Sequence, residues 1–222
     1  MQKNQGIRVG DVGRVKPGVK DQDFDIDMGG WQGRVSEISP LEDLIRIDWD
    51  SLTLMNMPGS MIARCEEEGL GWEQFYLEPG EVEPATARDT AAEVAKTVRK
   101  LQEEHAWDYL GEAGNGIARV LAEVKADDEW AAFLAWDAHL RQVLRFPFAA
   151  EVAEYQEHGP LRAGDKVEVQ RITDVVDMYG VIVAVRHKRG SYHFPLCDLE
   201  ATDKGSANHG FVQEYAVWFA NR

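Results

Sequence analysis

The sequence Gly-Asp-Val-Gly-Arg-Val at residues 10–15 returns as Gly-Asp-Lys-Val-Glu-Val at residues 164–169. Each copy is followed by an acidic loop and then by a glycine that opens an alternating apolar segment, at residues 33–38 and 180–185. A second apolar segment and a short closing run follow in both blocks. Such self-similarity predicts two copies of one small structural unit.

The two blocks have the pattern of short β-strands. Residues 44–49, Leu-Ile-Arg-Ile-Asp-Trp, alternate apolar and polar side chains with the period of a half-buried strand. Pro-Gly and Gly-Gly pairs separate this segment from its neighbours, and frequent turns between short strands indicate a small barrel. We therefore predict an α+β protein, mostly β, in which two small β-barrels are joined by a helical segment. The predicted domains are an N-terminal barrel at 1–84, a helical linker at 85–126 and a C-terminal domain at 127–222.

Helical periodicity is found between the two blocks and again at both ends of the second. A capped helix is predicted to begin after Thr86 or Asp89, and another after Asp127 or Asp128. The glycines of residues 111–116 predict a break between helices. After Pro147 a short helix is expected at residues 149–157, and the apolar tail at 215–219 is expected to dock on the second barrel.

Composition limits the functions that this chain can have. The formal net charge is −15, with the acidic excess concentrated in residues 1–84, and such a charge repels phosphate backbones and acidic lipid surfaces while it attracts cations. No run approaches the roughly 18 apolar residues that span a bilayer, and no signal peptide is evident. We therefore expect a cytoplasmic protein without nucleic-acid or membrane partners. Its two cysteines, Cys65 and Cys197, are predicted to be buried or half-buried thiols.

The first acidic loop has four aspartates at a spacing of two residues, from Asp21 to Asp27. Their mutual repulsion falls when a cation lies among them, and calcium takes 6–8 oxygen ligands at about 2.3–2.6 Å. We predict a divalent-ion site at Asp23, Asp25 and Asp27. A solvated acidic loop without a metal is the alternative, because charged runs are usually exposed.

The corresponding loop of the second block is shorter and contains Asp174 and Asp177. Asp198, in the closing run, is the third candidate ligand if the strands bring the two segments together. The alternative for this pair is again a solvated loop without a metal. No catalytic triad pattern and no phosphate-binding motif occurs, so an enzyme is the weakest interpretation.

Several longer sequence segments in the second half resemble those of a known family. They are Phe-Pro-Phe at 146–148, Tyr-His-Phe-Pro-Leu-Cys-Asp-Leu-Glu at 192–200, and Tyr-Ala-Val-Trp-Phe-Ala-Asn-Arg at 215–222. Together they resemble the bacterial calcium-binding family usually called CcbP, over about residues 130–222. The resemblance implies an SH3-like barrel with a preceding helix, Ca²⁺ bound by carboxylates, and calcium sequestration rather than catalysis. The N-terminal half is only generically SH3-like.

On these grounds the expected function is calcium binding by acidic loops on SH3-like barrels, as a buffer or a calcium-responsive protein, without catalysis. The resemblance carries the ion to Asp174, Asp177 and Asp198. The alternative function is a tandem SH3-like adaptor that holds a protein partner without a metal.

Overall fold

The computed structural model describes residues 7–21, 24–39, 41, 43–154 and 159–222. It is an α+β structure with about 38% helix and 30% strand, so the predicted class is confirmed and the predicted excess of strand is not. The chain divides into two compact units, residues 1–109 and 110–222. The predicted helical linker is shared between them, since its first helix lies in the first unit and its second in the second.

Unit 1 contains seven strands and three helices among its described residues. In chain order they are β1 (Val12–Val15), β2 (Lys20–Asp21), β3 (Ile26–Asp27), β4 (Gln32–Ser39), β5 (Leu44–Trp49), α1 (Ser51–Met55), α2 (Gly59–Glu68), β6 (Gln74–Leu77), β7 (Val82–Pro84) and α3 (Ala91–His105).

The described part of unit 2 has five strands and three helices. They are α4 (Gly111–Leu121), α5 (Glu129–Val143), β8 (Phe148–Val152), β9 (Lys166–Val176), β10 (Gly180–His187), β11 (Gly190–Pro195), β12 (Leu199–Ala201) and α6 (Ala207–Asn221).

Both units contain a five-stranded antiparallel sheet with the same strand order. The order is β6-β5-β4-β1-β7 in unit 1 and β11-β10-β9-β8-β12 in unit 2. When the five strands of each sheet are numbered in chain order, both sheets therefore run 4-3-2-1-5. A short 3₁₀ helix precedes the last strand in both, at Pro79–Glu81 and at Leu196–Asp198. The two sheets thus share one topology, and the tandem repeat stays a prediction. The described residues form no closed barrel, so the SH3-like barrels stay a prediction.

The repeated motif does not mark equivalent strands. Residues 10–15 lead into β1, the first strand of its sheet, whereas residues 164–169 lead into β9, the second strand of its sheet. Consequently the two acidic loops are not equivalent either: the first connects β1 to β4, and the second is the tight β9–β10 hairpin. What the motif shares is a local turn, in which Asp11 accepts a hydrogen bond from Arg8 N (2.8 Å) and Asp165 accepts one from Arg162 N (2.9 Å).

The motif precedes different strands in the two sheets because unit 2 has an additional strand before the motif, β8, that was not predicted from the sequence. Phe148–Val152 forms β8, where a helix had been predicted after Pro147. Alanine and glutamate favour helices, but this segment pairs with β9 on one side and β12 on the other. Tertiary pairing outweighs helix propensity here. Helices α1 and α2 in unit 1 were likewise not predicted, because the block had been interpreted as strands and turns.

The glycine-rich segment of residues 111–116 was predicted to break the helix, and this is wrong. Helix α4 begins at Gly111 and continues through Gly116. A Cβ atom at Gly116 would overlap the Glu214 carboxyl group of α6, so the Glu214 side chain occupies the space that glycine leaves open. Helix α5 agrees with its prediction, since Asp128 caps it by accepting a hydrogen bond from Ala131 N (2.9 Å).

The unit 2 core lies between α5, α6 and the sheet. Trp136, Tyr215 and Trp218 are fully buried, with ring centroids 5.4–5.8 Å apart. Burial of aromatic side chains supplies large apolar area, and their tilted and edge-on packing adds to it. The predicted docking of the C-terminal tail is confirmed by this packing. Among the described residues, no helix is long and apolar enough to cross a bilayer.

In unit 1 a pair of ionic contacts attaches the segment before α3 to the sheet. Arg88 makes a bidentate contact with Asp50, the N-cap of α1, at 2.8 and 2.9 Å. The neighbouring Asp89, whose side chain is 3% exposed, accepts a hydrogen bond from Ser51 N at 2.5 Å and pairs with Arg34 at 2.9 Å. Burial alone would raise the pKa of Asp89, but the hydrogen bonds from Ser51 and the Arg34 charge lower that pKa below its ordinary value.

Replacing Asp89 with Asn should destabilise unit 1 by about 2 kcal/mol, because hydrogen bonds to a buried charged group are lost. Since the folded-state pKa of Asp89 is lowered, its contribution is fully present above the unfolded value of about 3.9 and disappears as the pH falls through the lower, folded pKa. Urea unfolding of wild type and Asp89→Asn at neutral and acidic pH measures both effects.

The control for this variant is Glu83→Gln, which removes the exposed Arg14–Glu83 pair (2.6 Å) and should cost less than about 1 kcal/mol. An equal loss for both variants, or a difference that stays constant down to acidic pH, would contradict the role assigned to Asp89.

Candidate metal centre

The β9–β10 hairpin carries two of the predicted ligands. Asp174 lies near the end of β9, opposite Ile182, and Asp177 lies in the turn. Each carboxylate accepts a hydrogen bond from the next residue along the chain, from Val175 N at 2.8 Å and from Met178 N at 3.0 Å. Both side chains are exposed, so their remaining lone pairs face solvent. The hairpin therefore offers two carboxylates whose orientation is set by the local backbone.

The base of this hairpin is attached to α6. Val181 N donates a buried hydrogen bond of 2.7 Å to the Tyr215 hydroxyl group. Gly180 has a φ of 66°, and a Cβ there would overlap Tyr215 and lie 2.7 Å from Phe219. Glycine is required here for two reasons. The left-handed backbone is unfavourable for residues that have a Cβ, and such a Cβ would collide with Tyr215.

The third predicted ligand, Asp198, lies in the 3₁₀ turn before β12. Its carbonyl oxygen accepts hydrogen bonds from Ala153 N (2.8 Å) and Glu154 N (3.5 Å), and its carboxylate lies 3.5 Å from Cys197 Sγ. Burial raises the pKa of the Tyr215 phenol above its ordinary value, and the charge of Asp198 adds a smaller rise. The 3₁₀ turn that contains Asp198 packs against α6, the helix of Tyr215.

In unit 1 the first acidic loop forms a small hairpin of β2 and β3. Asp25 has a φ of 52°, its side chain is 93% exposed, and it lies 3.9 Å from Lys20 Nζ. Asp27 accepts a hydrogen bond from Gly29 N at 2.8 Å. Asp23 lies outside the described residues. Two of the three carboxylates thus have local partners.

The described residues do not form a preassembled metal centre. Within residues 7–21, 24–39, 41, 43–154 and 159–222, no three or more His, Cys, Asp or Glu side chains form a group that could hold a metal ion. Asp174, Asp177 and Asp27 each accept a hydrogen bond from a nearby backbone N–H group, which orients each carboxylate locally. The side chains as they stand do not fit an assembled calcium site, and the two ligand sets stay predictions.

A cavity of about 480 Å³ lies against α6 in unit 2. Its lining includes Cys197, Glu200 and His209, with His209 Nε2 3.7 Å from Glu200 Oε1. Burial raises the pKa of the Cys197 thiol well above its ordinary value, and the neighbouring charge of Asp198 raises it further. The thiolate is the nucleophilic form of cysteine, so this environment opposes an activated thiol. Cys65 is also a free, buried thiol, as predicted.

Exposed apolar side chains beside the two hairpin aspartates were not predicted from the sequence. Val176, Met178 and Tyr179 form the turn together with Asp177, and Tyr179 N donates a hydrogen bond to Val176 O (3.2 Å). All three are exposed. The available signal was composition, because hairpin turns favour glycine and asparagine, and here three of four residues are large and apolar.

Residues 118–219 match the model of the CcbP family, which is described as calcium binding. The match lies in unit 2 and begins within α4. It confirms the predicted resemblance and supports Ca²⁺ as the ion of the prediction. A search of curated proteins finds no match.

Two solved structures are similar to this chain. A calcium-binding protein in the calcium-binding form shares 23% identity, with a TM-score of 0.38, over 46% of this chain and 87% of that one. The crystal structure of Anabaena CcbP shares 22% identity, with a TM-score of 0.37, over 44% of this chain and 80% of that one. Both scores are low, so no residue role is transferred from either structure.

Replacing Gly180 with Ala should destabilise unit 2 by about 3 kcal/mol, because the added methyl group meets Tyr215 and Phe219 and the left-handed backbone is unfavourable for alanine. Gly164→Ala is the matched control. Gly164 also has a positive φ, of 87°, but nothing lies within 4 Å of its added Cβ, so only the backbone cost of about 1 kcal/mol is expected.

Urea denaturation of both variants measures the difference. If Gly180→Ala costs no more than Gly164→Ala, the hairpin base is not held against α6 as described.

Proposed function

We propose that this protein binds calcium through acidic loops of its SH3-like units and acts without catalysis, as a buffer or a calcium-responsive protein. The observation that carries the proposal is the match of residues 118–219 to a calcium-binding family. Asp174, Asp177 and Asp198 all fall within the matched residues, whereas the loop of Asp23, Asp25 and Asp27 falls outside them. We therefore assign the ion to the unit 2 set in preference to the unit 1 set.

Electrostatics favours a cation as the ligand. The net charge of −15 raises the local concentration of divalent cations at the surface. Calcium is bound by carboxylate, carbonyl and water oxygens in flexible geometry. Two or three aspartates together with backbone carbonyls are therefore ligands of the type that calcium takes. The same charge disfavours nucleic acids and anionic membranes as partners.

Affinity is expected to be weak. Asp174 and Asp177 each accept a hydrogen bond from the local backbone, and Asp198 lies beside Cys197. These carboxylates do not form a ready-made group, so the free energy of binding must include the cost of ordering them. Preorganised ligand sets avoid that cost, which is why they bind more tightly.

Calcium titration by calorimetry should give saturable heat that is lost in the triple variant Asp174→Asn, Asp177→Asn, Asp198→Asn and kept in Asp25→Asn, Asp27→Asn. Thermal melting should show the same pattern. Calcium at about ten times its Kd stabilises the folded state by about 1.4 kcal/mol, and a chelator should reverse the shift.

A control for general loss of charge is Glu103→Gln, Glu104→Gln, which removes two carboxylates from the exposed face of α3, as many as Asp25→Asn, Asp27→Asn removes, and should leave the calcium heat unchanged. Heat that survives the triple variant but is lost in Asp25→Asn, Asp27→Asn would move the site to unit 1. Absence of heat at millimolar calcium would overturn the proposal.

A further inference from the structure

The tip of the β9–β10 hairpin exposes an unusual amount of apolar surface. Met178 is 75% exposed, Tyr179 55% and Val176 38%, all within one four-residue turn. Single exposed apolar residues are common on protein surfaces, but a contiguous group of large ones marks an interaction site. We call Val176, Met178 and Tyr179, with Asp174 and Asp177 beside them, the hairpin patch.

The patch is held rigidly from below. Gly180 and Val181, which follow it directly, are buried against Tyr215 and Phe219, and the hydrogen bond from Val181 N to the Tyr215 hydroxyl group fixes the start of β10. A surface presented on an anchored turn loses little conformational entropy when a partner binds.

The backbone of the turn is unfavourable for the residue that it carries. Met178 has a φ of 67°, a left-handed conformation that costs an L-residue with a long side chain about 1–2 kcal/mol. Glycine or asparagine would relieve much of this cost and would also be more soluble at a hairpin tip. Such a conformation directs the Met178 side chain into solvent at the expense of stability, which suggests that it serves binding.

Charge selects the partner. The sequence from residue 172 to 185 contains Asp174 and Asp177 and has no lysine or arginine. Arg222, which stacks on Phe219 at 3.6 Å beside the hairpin base, is paired with Glu129 at 3.1 Å. An apolar surface bordered by carboxylates is complementary to apolar side chains bordered by cations, and it disfavours anionic lipid headgroups.

We propose that the hairpin patch is a docking surface for a protein segment in which apolar side chains are flanked by lysine or arginine. The apolar residues of the segment would cover Val176, Met178 and Tyr179, and its cations would lie against Asp174 and Asp177. This surface does not require calcium, so it gives the adaptor interpretation of the sequence a specific location without replacing the metal proposal.

The probe is a fluorescein-labelled synthetic peptide of repeated Lys-Leu-Leu-Lys units, titrated with the full chain in the presence of a chelator and followed by fluorescence anisotropy. The same peptide with glutamate in place of lysine should not bind. Met178→Ser with Tyr179→Ser should weaken binding of the lysine peptide about tenfold, because apolar anchors dominate interface energies. Asp174→Asn with Asp177→Asn should weaken it and reduce its dependence on salt.

Two controls separate the patch from general attraction to an acidic chain. Met55→Ser removes an exposed methionine from unit 1, and Glu103→Gln with Glu104→Gln removes two carboxylates from α3; neither should change the affinity. Amide NMR of the wild-type chain should show peptide-induced shifts centred on residues 174–180. This measurement stands even if a hairpin variant fails to fold.

Equal weakening by the α3 variant, unchanged affinity in Met178→Ser with Tyr179→Ser, or amide shifts confined to other residues would overturn the proposal. Co-sedimentation with phosphatidylcholine–phosphatidylglycerol vesicles that is lost in the hairpin variant would assign the patch to a lipid surface instead. Because calcium is absent from the titration, failure here leaves the calcium proposal untouched, and failure of the calorimetric test leaves this proposal untouched.

Discussion

The contact between the start of β10 and α6 determines most of what unit 2 presents to solvent. Glycine at position 180 allows the Tyr215 ring to approach the backbone, and the Tyr215 hydroxyl group then satisfies the buried N–H of Val181. An unpaired buried N–H would cost free energy comparable to a lost hydrogen bond, so sheet and helix stabilise each other at this point. The hairpin above the contact carries Asp174, Asp177 and the exposed apolar tip, and the 3₁₀ turn that contains Asp198 packs against α6.

The acidity of the chain has two roles that composition does not distinguish. Asp11 and Asp165 close equivalent turns, while Asp50 and Asp89 hold the segment before α3 against the sheet. These carboxylates are engaged in structure and are poor candidates for metal ligands. The charge that remains at the hairpin and in the first loop is smaller than a net value of −15 suggests. This explains why an acidic sequence can contain few assembled cation sites.

The two units also show how far a repeated sequence can be interpreted. Their sheets share one strand order, whereas the tandem repeat itself stays a prediction. The repeated motif nevertheless marks the first strand of one sheet and the second strand of the other. A glycine–aspartate turn is stabilised by its own hydrogen bonds, and it can therefore precede any strand of the sheet. The prediction that the two acidic loops are equivalent assumed that the motif precedes the same strand in both sheets, and it was wrong.

Some features were readable from the sequence alone: the α+β class, the cap of α5 at Asp128, the buried or half-buried thiols and the resemblance over the C-terminal half. These features depend on neighbours along the chain, whose spacing the sequence displays. Tertiary structure alone decided that Phe148–Val152 is a strand, that Gly116 lies inside a helix, and that Val176, Met178 and Tyr179 face solvent beside two aspartates. Each of these outcomes depends on a partner distant in sequence, such as β12, Glu214 or Tyr215. Strand pairing and contact between helices outweigh local propensity. A local sequence pattern does not show which distant residue a segment will contact.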